Sequence, residues 1–167
     1  YFENYQKKYA GEVLAIPHNA NISNGRMFAL VDFDGKPLSK AYAKTRSRWE
    51  PLLEVTQIKG DSETHPLLSP NDEFSDYGTW NNLNGRYLPQ PISKEWMNKK
   101  HFEYARSALK LGLGQQVTLG VNPFKFGLIG STDAHTSIAS AEEDNFWGKN
   151  SRDEPKDNRV LEKMFPE

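Results

Sequence analysis

The α/β class is what this sequence predicts, with parallel strands and long loops at the strand ends. Two observations lead there. Candidate segments alternate as helix, strand, helix, strand, long loop, helix, strand, helix, and strands that alternate with helices imply a parallel sheet with right-handed crossovers. Each strand candidate also runs directly into a polar segment carrying His, Asp or Glu, as at the carboxyl ends where parallel α/β proteins collect their sites. Three strands form only part of such a sheet and would leave pairing edges exposed, so the chain is expected to complete a larger sheet or barrel.

The elements follow in order. Residues 1–9 resemble the last turns of a helix, stopped at Gly11. Residues 12–16 (EVLAI) form a short apolar run suited to a buried strand, which Pro17 ends. His18 and an Asn-rich loop to Gly25 come next, then an irregular stretch over 26–38 with Asp34-Gly35 as a turn signal. Ser39 is a good N-cap for a helix running to about Trp49. Residues 52–58 (LLEVTQI) are the second strand candidate. From 59 to 91 the chain is loop-like and too long to be idle. Ser93 caps the clearest helix, expected to end near Gly112 or Gly114, with Met97, His101, Tyr104, Ala105, Ala108 and Leu109 along one apolar-leaning stripe. The third strand is 126–130, and a small-residue helix is expected after His135. Residues 1–150 are expected to be one domain, with 151–167 a charged tail or linker.

Composition narrows the function classes. The 21 basic and 22 acidic residues nearly cancel, leaving a formal charge of −1, so net charge indicates neither nucleic acid nor an anionic membrane surface. No run of about twenty apolar residues exists to span a bilayer. The absence of Cys excludes disulfides, thiolate metal sites and Cys nucleophiles. No Walker loop, Gly-x-Ser-x-Gly elbow or dinucleotide fingerprint is present, and Gly112-Leu113-Gly114 has no strand before it. A start at Tyr1 rather than Met, with no leader, is read as part of something longer.

The chemistry-bearing stretch is FGLIGSTDAHT, residues 126–136. In an extended chain residues i and i+2 project to one side, so Asp133 and His135 would point together. A hard oxygen and a ring nitrogen suit a divalent cation such as Zn²⁺ or Mn²⁺, although the same small residues also suit a plain turn. His18 follows the first strand candidate as Asp133 and His135 follow the third, so a parallel sheet would let them meet. Lys59, Asp61, Glu63 and His65 follow the second. Lys59 could neutralise a phosphate or sulfate as a point charge; Glu63 or His65 could ligate a metal, support a ligand or transfer a proton. Glu54 could point inward or be a buried carboxylate paired with Lys or Arg. His101 reads as a packing residue, the four Trp residues as anchors, and Glu142, Glu143 and Asp144 as a helix start.

Four segments carry a resemblance: AIPHNANISNG (15–25), RWEPLLEVTQIKGDSETHP (48–66), GSTDAHT (130–136) and AEEDNFWGK (141–149). They resemble the bacterial family called domain of unknown function 3604, which is similar to the polymerase and histidinol phosphatase (PHP) superfamily of metal-dependent phosphoesterases. The resemblance implies a distorted (β/α)7 TIM-like barrel with two or three metals at the strand ends. His18, Asp133 and His135 match metal-ligand positions of that superfamily, and Glu54 or Glu63 falls near an acidic one. Its opening His-x-His, bridging Glu and middle histidines have no counterpart here, so the chain is expected to be the C-terminal part of a longer enzyme, missing the N-terminal half of the barrel.

The functional expectation is then a phosphomonoesterase or phosphodiesterase using a metal-activated hydroxide, with sulfatase or amidohydrolase-like chemistry as the nearest variant. Zn²⁺ or Mn²⁺ would be held by His18, Asp133 and His135. Lys59 and the loop residues Asn19, Asn21 and Asn24 would contact a small phosphoester or related anion, and His65 or Glu63 would transfer the proton. Alone, the chain would be inactive. The rival expectation is a non-catalytic half-barrel, kept for binding or assembly. A homo-oligomer and a periplasmic or secreted location are both compatible with these expectations.

Overall fold

The computed structural model describes residues 1–57, 59–80, 94–136, 142 and 144. Contacts divide the chain into two compact units, Tyr1–Gly130 and Ser131–Glu167. The first unit holds helix α1 (Phe2–Tyr9), a 3₁₀ turn at Ala20–Ile22 and α2 (Lys40–Trp49). Strands β1 (Leu52–Gln57) and β2 (Gly60–Asp61) follow, then α3 (Lys94–Lys99), a second 3₁₀ turn at Lys100–Phe102, α4 (Ala105–Leu119) and β3 (Gly127–Gly130).

Several elements form where local chemistry demands them. α1 stops one residue before the expected glycine, with Ala10 itself in the left-handed conformation at φ 49°. Ser39 caps α2 as expected: its Oγ accepts from the Tyr42 amide at 3.1 Å and satisfies one of the helix's orphan donors. The Asp34-Gly35 signal is a real turn, in which Gly35 has φ 75° and the Asp32 carboxylate accepts from the amides of Asp34 and Lys36.

The sheet corrects the fold expectation. Its order is β2-β1-β3; β1 runs parallel to β3 and antiparallel to the two-residue β2. Among the described residues this is a small, open, mixed sheet and not part of a parallel TIM-like barrel. The first strand candidate is missing because residues 12–16 form no ladder. That segment lies alongside the β1 region through only two bonds, from the Ala15 amide to the Trp49 carbonyl and from the Glu54 amide to the Pro17 carbonyl. Pro17 has no N–H to extend the pairing. A single parallel pair cannot build the barrel that three were expected to begin.

The long helix expected from Ser93 is also two helices, although Ser93 itself lies outside the described residues. Tyr104 is extended, at φ −117° and ψ 143°, and α4 starts afresh after it. The first amides of α4 are satisfied by a loop: Ala105 N–H donates to the Ser62 carbonyl and Arg106 N–H to that of Glu63. α4 then passes through Gly112 and Gly114 and ends at Gly120, which is left-handed at φ 72°, the usual helix stop. The core forms where Phe28, Leu53 and Phe124 meet Ala20, Ala105 and Ala108, with Phe28 and Phe124 edge to face at 5.5 Å. The helix expected after His135, most of the segment 141–149, Trp147 and the tail 151–167 lie outside the described residues.

Candidate functional site

The first strand end of interest is built on β1. In a regular strand residues three apart face opposite sides. Here the pairing with β3 slips between Glu54 and Thr56, and such an irregularity re-aims side chains. Glu54 and Gln57, both buried, therefore meet: Gln57 Nε2 donates to Glu54 Oε2 at 3.3 Å. The same nitrogen lies 3.2 Å from His18 Nδ1 and 3.5 Å from the His18 carbonyl oxygen. Glu54 Oε2 is 3.9 Å from His18 Nδ1, and the His18 side chain is 47% exposed. Gln57 Oε1 is buried without a hydrogen-bond partner among the described residues, a costly arrangement. Sequence reasoning missed Gln57, an amide in an apolar strand that alternation would have separated from Glu54.

The loop after β1 turns inward. Lys59 is 5% exposed, and its Nζ donates to Asn21 Oδ1 at 2.5 Å and Ser62 Oγ at 3.1 Å. Asn21, wholly buried, returns a bond from its Nδ2 to the Lys59 carbonyl. Lys59 and Asn21, both expected at a substrate, instead bind each other. Asn19 is exposed. Asn24 is left-handed at φ 53°, with its Oδ1 buried and unpartnered among the described residues. His65 is buried against the rings of Trp96 and Tyr104, and its Nδ1 accepts from the Leu67 amide. Glu63 is held by Arg106, whose guanidinium also binds Asp72 at 2.5 Å. The Phe74 amide and Arg106 hold the Asp72 carboxyl below its ordinary range. Asp61 accepts from the amides of Glu63 and Thr64, but burial outweighs both bonds and raises its carboxyl.

The second unit contains Asp133 and His135. Asp133 is left-handed at φ 53°, so the run is not the extended chain that alternation assumed. A turn brings the pair together instead. Thr132 Oγ1 accepts from the Ala134 amide, and His135 Nδ1 donates to the Asp133 carbonyl at 2.7 Å, a distance at which the carbonyl can only accept. In the neutral ring the proton is therefore on Nδ1, and Nε2 carries the lone pair. Asp133 Oδ1 lies 3.8 Å from the same Nδ1. Asp is among the few non-glycine residues that adopt this conformation readily in turns.

A divalent cation would need a set of donors. Within each unit, among the described residues, no group of three or more His, Asp or Glu side chains converges on one point. By donor chemistry Asp133 and His135 fit such an ion as two of its ligands, because the Nδ1–H to carbonyl bond is the usual support of a ligating imidazole. The His18 ring meets the Gln57 amide nitrogen at Nδ1, 3.2 Å away, and lies 3.9 Å from Glu54 Oε2.

Residues 1–166 match the family described as Protein of unknown function (DUF3604), and the chain belongs to that family. No curated protein matches it. No solved structure matches it either.

Proposed function

We propose that this member of the DUF3604 family is part of a metal-dependent hydrolase, with Asp133 and His135 as two ligands of a divalent cation. One observation carries the proposal: the 2.7 Å bond from His135 Nδ1 to the Asp133 carbonyl, which leaves Nε2 unprotonated beside a carboxylate on a left-handed residue. A plain turn has no need to fix that tautomer. When bound, Zn²⁺ or Mn²⁺ supplies Lewis acidity toward a phosphoryl oxygen. The substrate class, a phosphoester, rests on the likeness of the His18 and Asp133-x-His135 positions to the PHP superfamily, and the relation to that superfamily is part of the proposal. The burial of Lys59, Asn21 and His65 favours a second reading, a binding or assembly module whose polar strand ends are structural.

Metal analysis and phosphoester hydrolysis separate the two. The protein is purified without chelator, its Zn and Mn content is measured, and aryl phosphate mono- and diester hydrolysis is followed with added metal. His135→Ala and Asp133→Asn are each expected to lower metal affinity by about tenfold or more, while His101→Ala, an exposed residue of the other unit, leaves it unchanged. Wild-type protein that binds neither metal, or a His135→Ala variant with undiminished affinity, selects the module.

A further inference from the structure

Two histidines of this chain meet opposite kinds of partner at Nδ1: an amide nitrogen at His18 and a carbonyl oxygen at His135. The Gln57 amide has one end that must be nitrogen. Around it stand Glu54 Oε2 at 3.3 Å and the His18 carbonyl oxygen at 3.5 Å. Turning the amide over would set its oxygen against a carboxylate oxygen, with no proton between them. The amide nitrogen is donor only, so His18 Nδ1, 3.2 Å away, must meet it with a lone pair. A proton on Nδ1 would face an N–H. The neutral ring therefore carries its proton on Nε2.

We propose that Gln57 is a positioning residue that holds His18 as an Nε2–H hydrogen-bond donor, and that His18 binds an anionic oxygen, such as a phosphoryl oxygen of substrate, rather than a metal ion. The half-exposed ring presents one strong donor to such an oxygen. The orphaned Gln57 Oε1 is the cost of this orientation, because the other orientation would give that oxygen a protonated Nδ1 to accept from. The choice of oxyanion rests on the hydrolase reading above; the tautomer does not.

The experiment is a long-range ¹H–¹⁵N correlation of the four histidines in ¹⁵N-His protein. The pH is held at about 8, above the ordinary imidazole pKa of about 6.5. His18→Gln and His135→Ala identify the two rings. The expected wild-type pattern is a protonated Nε2 and a lone-pair Nδ1 for His18, with the reverse for His135. Inorganic phosphate is expected to shift the His18 Nε2–H resonance, and Zn²⁺ to leave it in place. Gln57→Leu is expected to mix the tautomers and weaken the phosphate shift; Gln57→Glu is expected to move the proton to Nδ1. If either variant fails to fold, the wild-type tautomer and the two titrations still decide. A protonated Nδ1 on wild-type His18, a Zn²⁺ shift at its Nε2, or indifference to phosphate overturns the proposal. The metal reading fails separately, on a His135 ring that ignores Zn²⁺.

Discussion

Alanine at Gly112 and at Gly114 should shift stability in opposite directions, although the two positions share one helix and one backbone propensity. Both lie inside α4, where replacing Gly by Ala stabilises a helix by about 0.5–1 kcal/mol. A Cβ at Gly114 would have no atom of the described residues within 4 Å, so Gly114→Ala should gain that amount. For a chain of this size this raises Tm by roughly 1–4 °C. A Cβ at Gly112 would stand 2.9 Å from Asn122 Cγ and 3.1 Å from its Nδ2, with Oδ1 closer still. Asn122 would have to move, yet its Oδ1 accepts from the amide of Phe124 at 2.8 Å, and Phe124 is fully buried. Losing that bond costs about 1–3 kcal/mol and overpacking about 1–3 more. Against the helix gain, Gly112→Ala should lose about 1–5.5 kcal/mol. Urea unfolding of both variants tests the argument, with Asn122→Ala completing a double-mutant cycle in which the costs at 112 and 122 are not additive. Equal shifts from Gly112→Ala and Gly114→Ala would refute it.

Two further outcomes follow from charges. Lys100 and Glu103 form an ion pair at 2.6 Å with side chains 0% and 1% exposed, and Lys100 also lies 4.3 Å from the Trp96 ring. Lys100→Met leaves the carboxylate, among the described residues, the Gly25 amide at 2.8 Å as its hydrogen-bond donor, and should cost about 3–5 kcal/mol in denaturant unfolding; a loss below about 1 kcal/mol would show that Glu103 takes up a proton at little cost. Asp72 has its carboxyl lowered by the Phe74 amide and by Arg106, so its contribution to stability is present above the unfolded pKa, about 3.9, and is lost as pH falls through the folded value. Asp72→Asn should therefore lower Tm at neutral pH, and the gap from wild type should close on acidification; a gap that widens in acid would reverse the sign of the argument.

The parts of the fold legible in the sequence are those settled within a few residues. Ser39 caps α2 because its hydroxyl needs only the Tyr42 amide. The Asp34-Gly35 turn needs only a residue that tolerates positive φ. Strand β1 (Leu52–Gln57) falls within the strand candidate read at 52–58. What was not legible depends on distant partners. The break before α4 carries no Pro or Gly signal, because the carbonyls of Ser62 and Glu63 create it from across the loop. Gly112 read as a helix end, yet the close approach of Asn122 is the reason a glycine sits there. The barrel expectation failed at residues 12–16, where apolar composition promised a strand but, among the described residues, the Ala15 amide makes one isolated bond to the Trp49 carbonyl and the next falls at Pro17.

The candidate site shows the same division at the scale of single protons. His135 takes its tautomer from a carbonyl two residues away, so a metal reading of Asp133-x-His135 could be made from the sequence, although for the wrong backbone reason: a left-handed turn replaces the extended chain. His18 takes its tautomer from an amide 39 positions away, delivered by a slip in strand register that no local pattern encodes. Matching His18 to a ligand position uses the residue type alone, and residue type leaves the proton undecided. The neighbour at Nδ1 decides it: an acceptor there makes Nε2 a ligand, and a donor there makes Nε2–H a hand for an oxyanion.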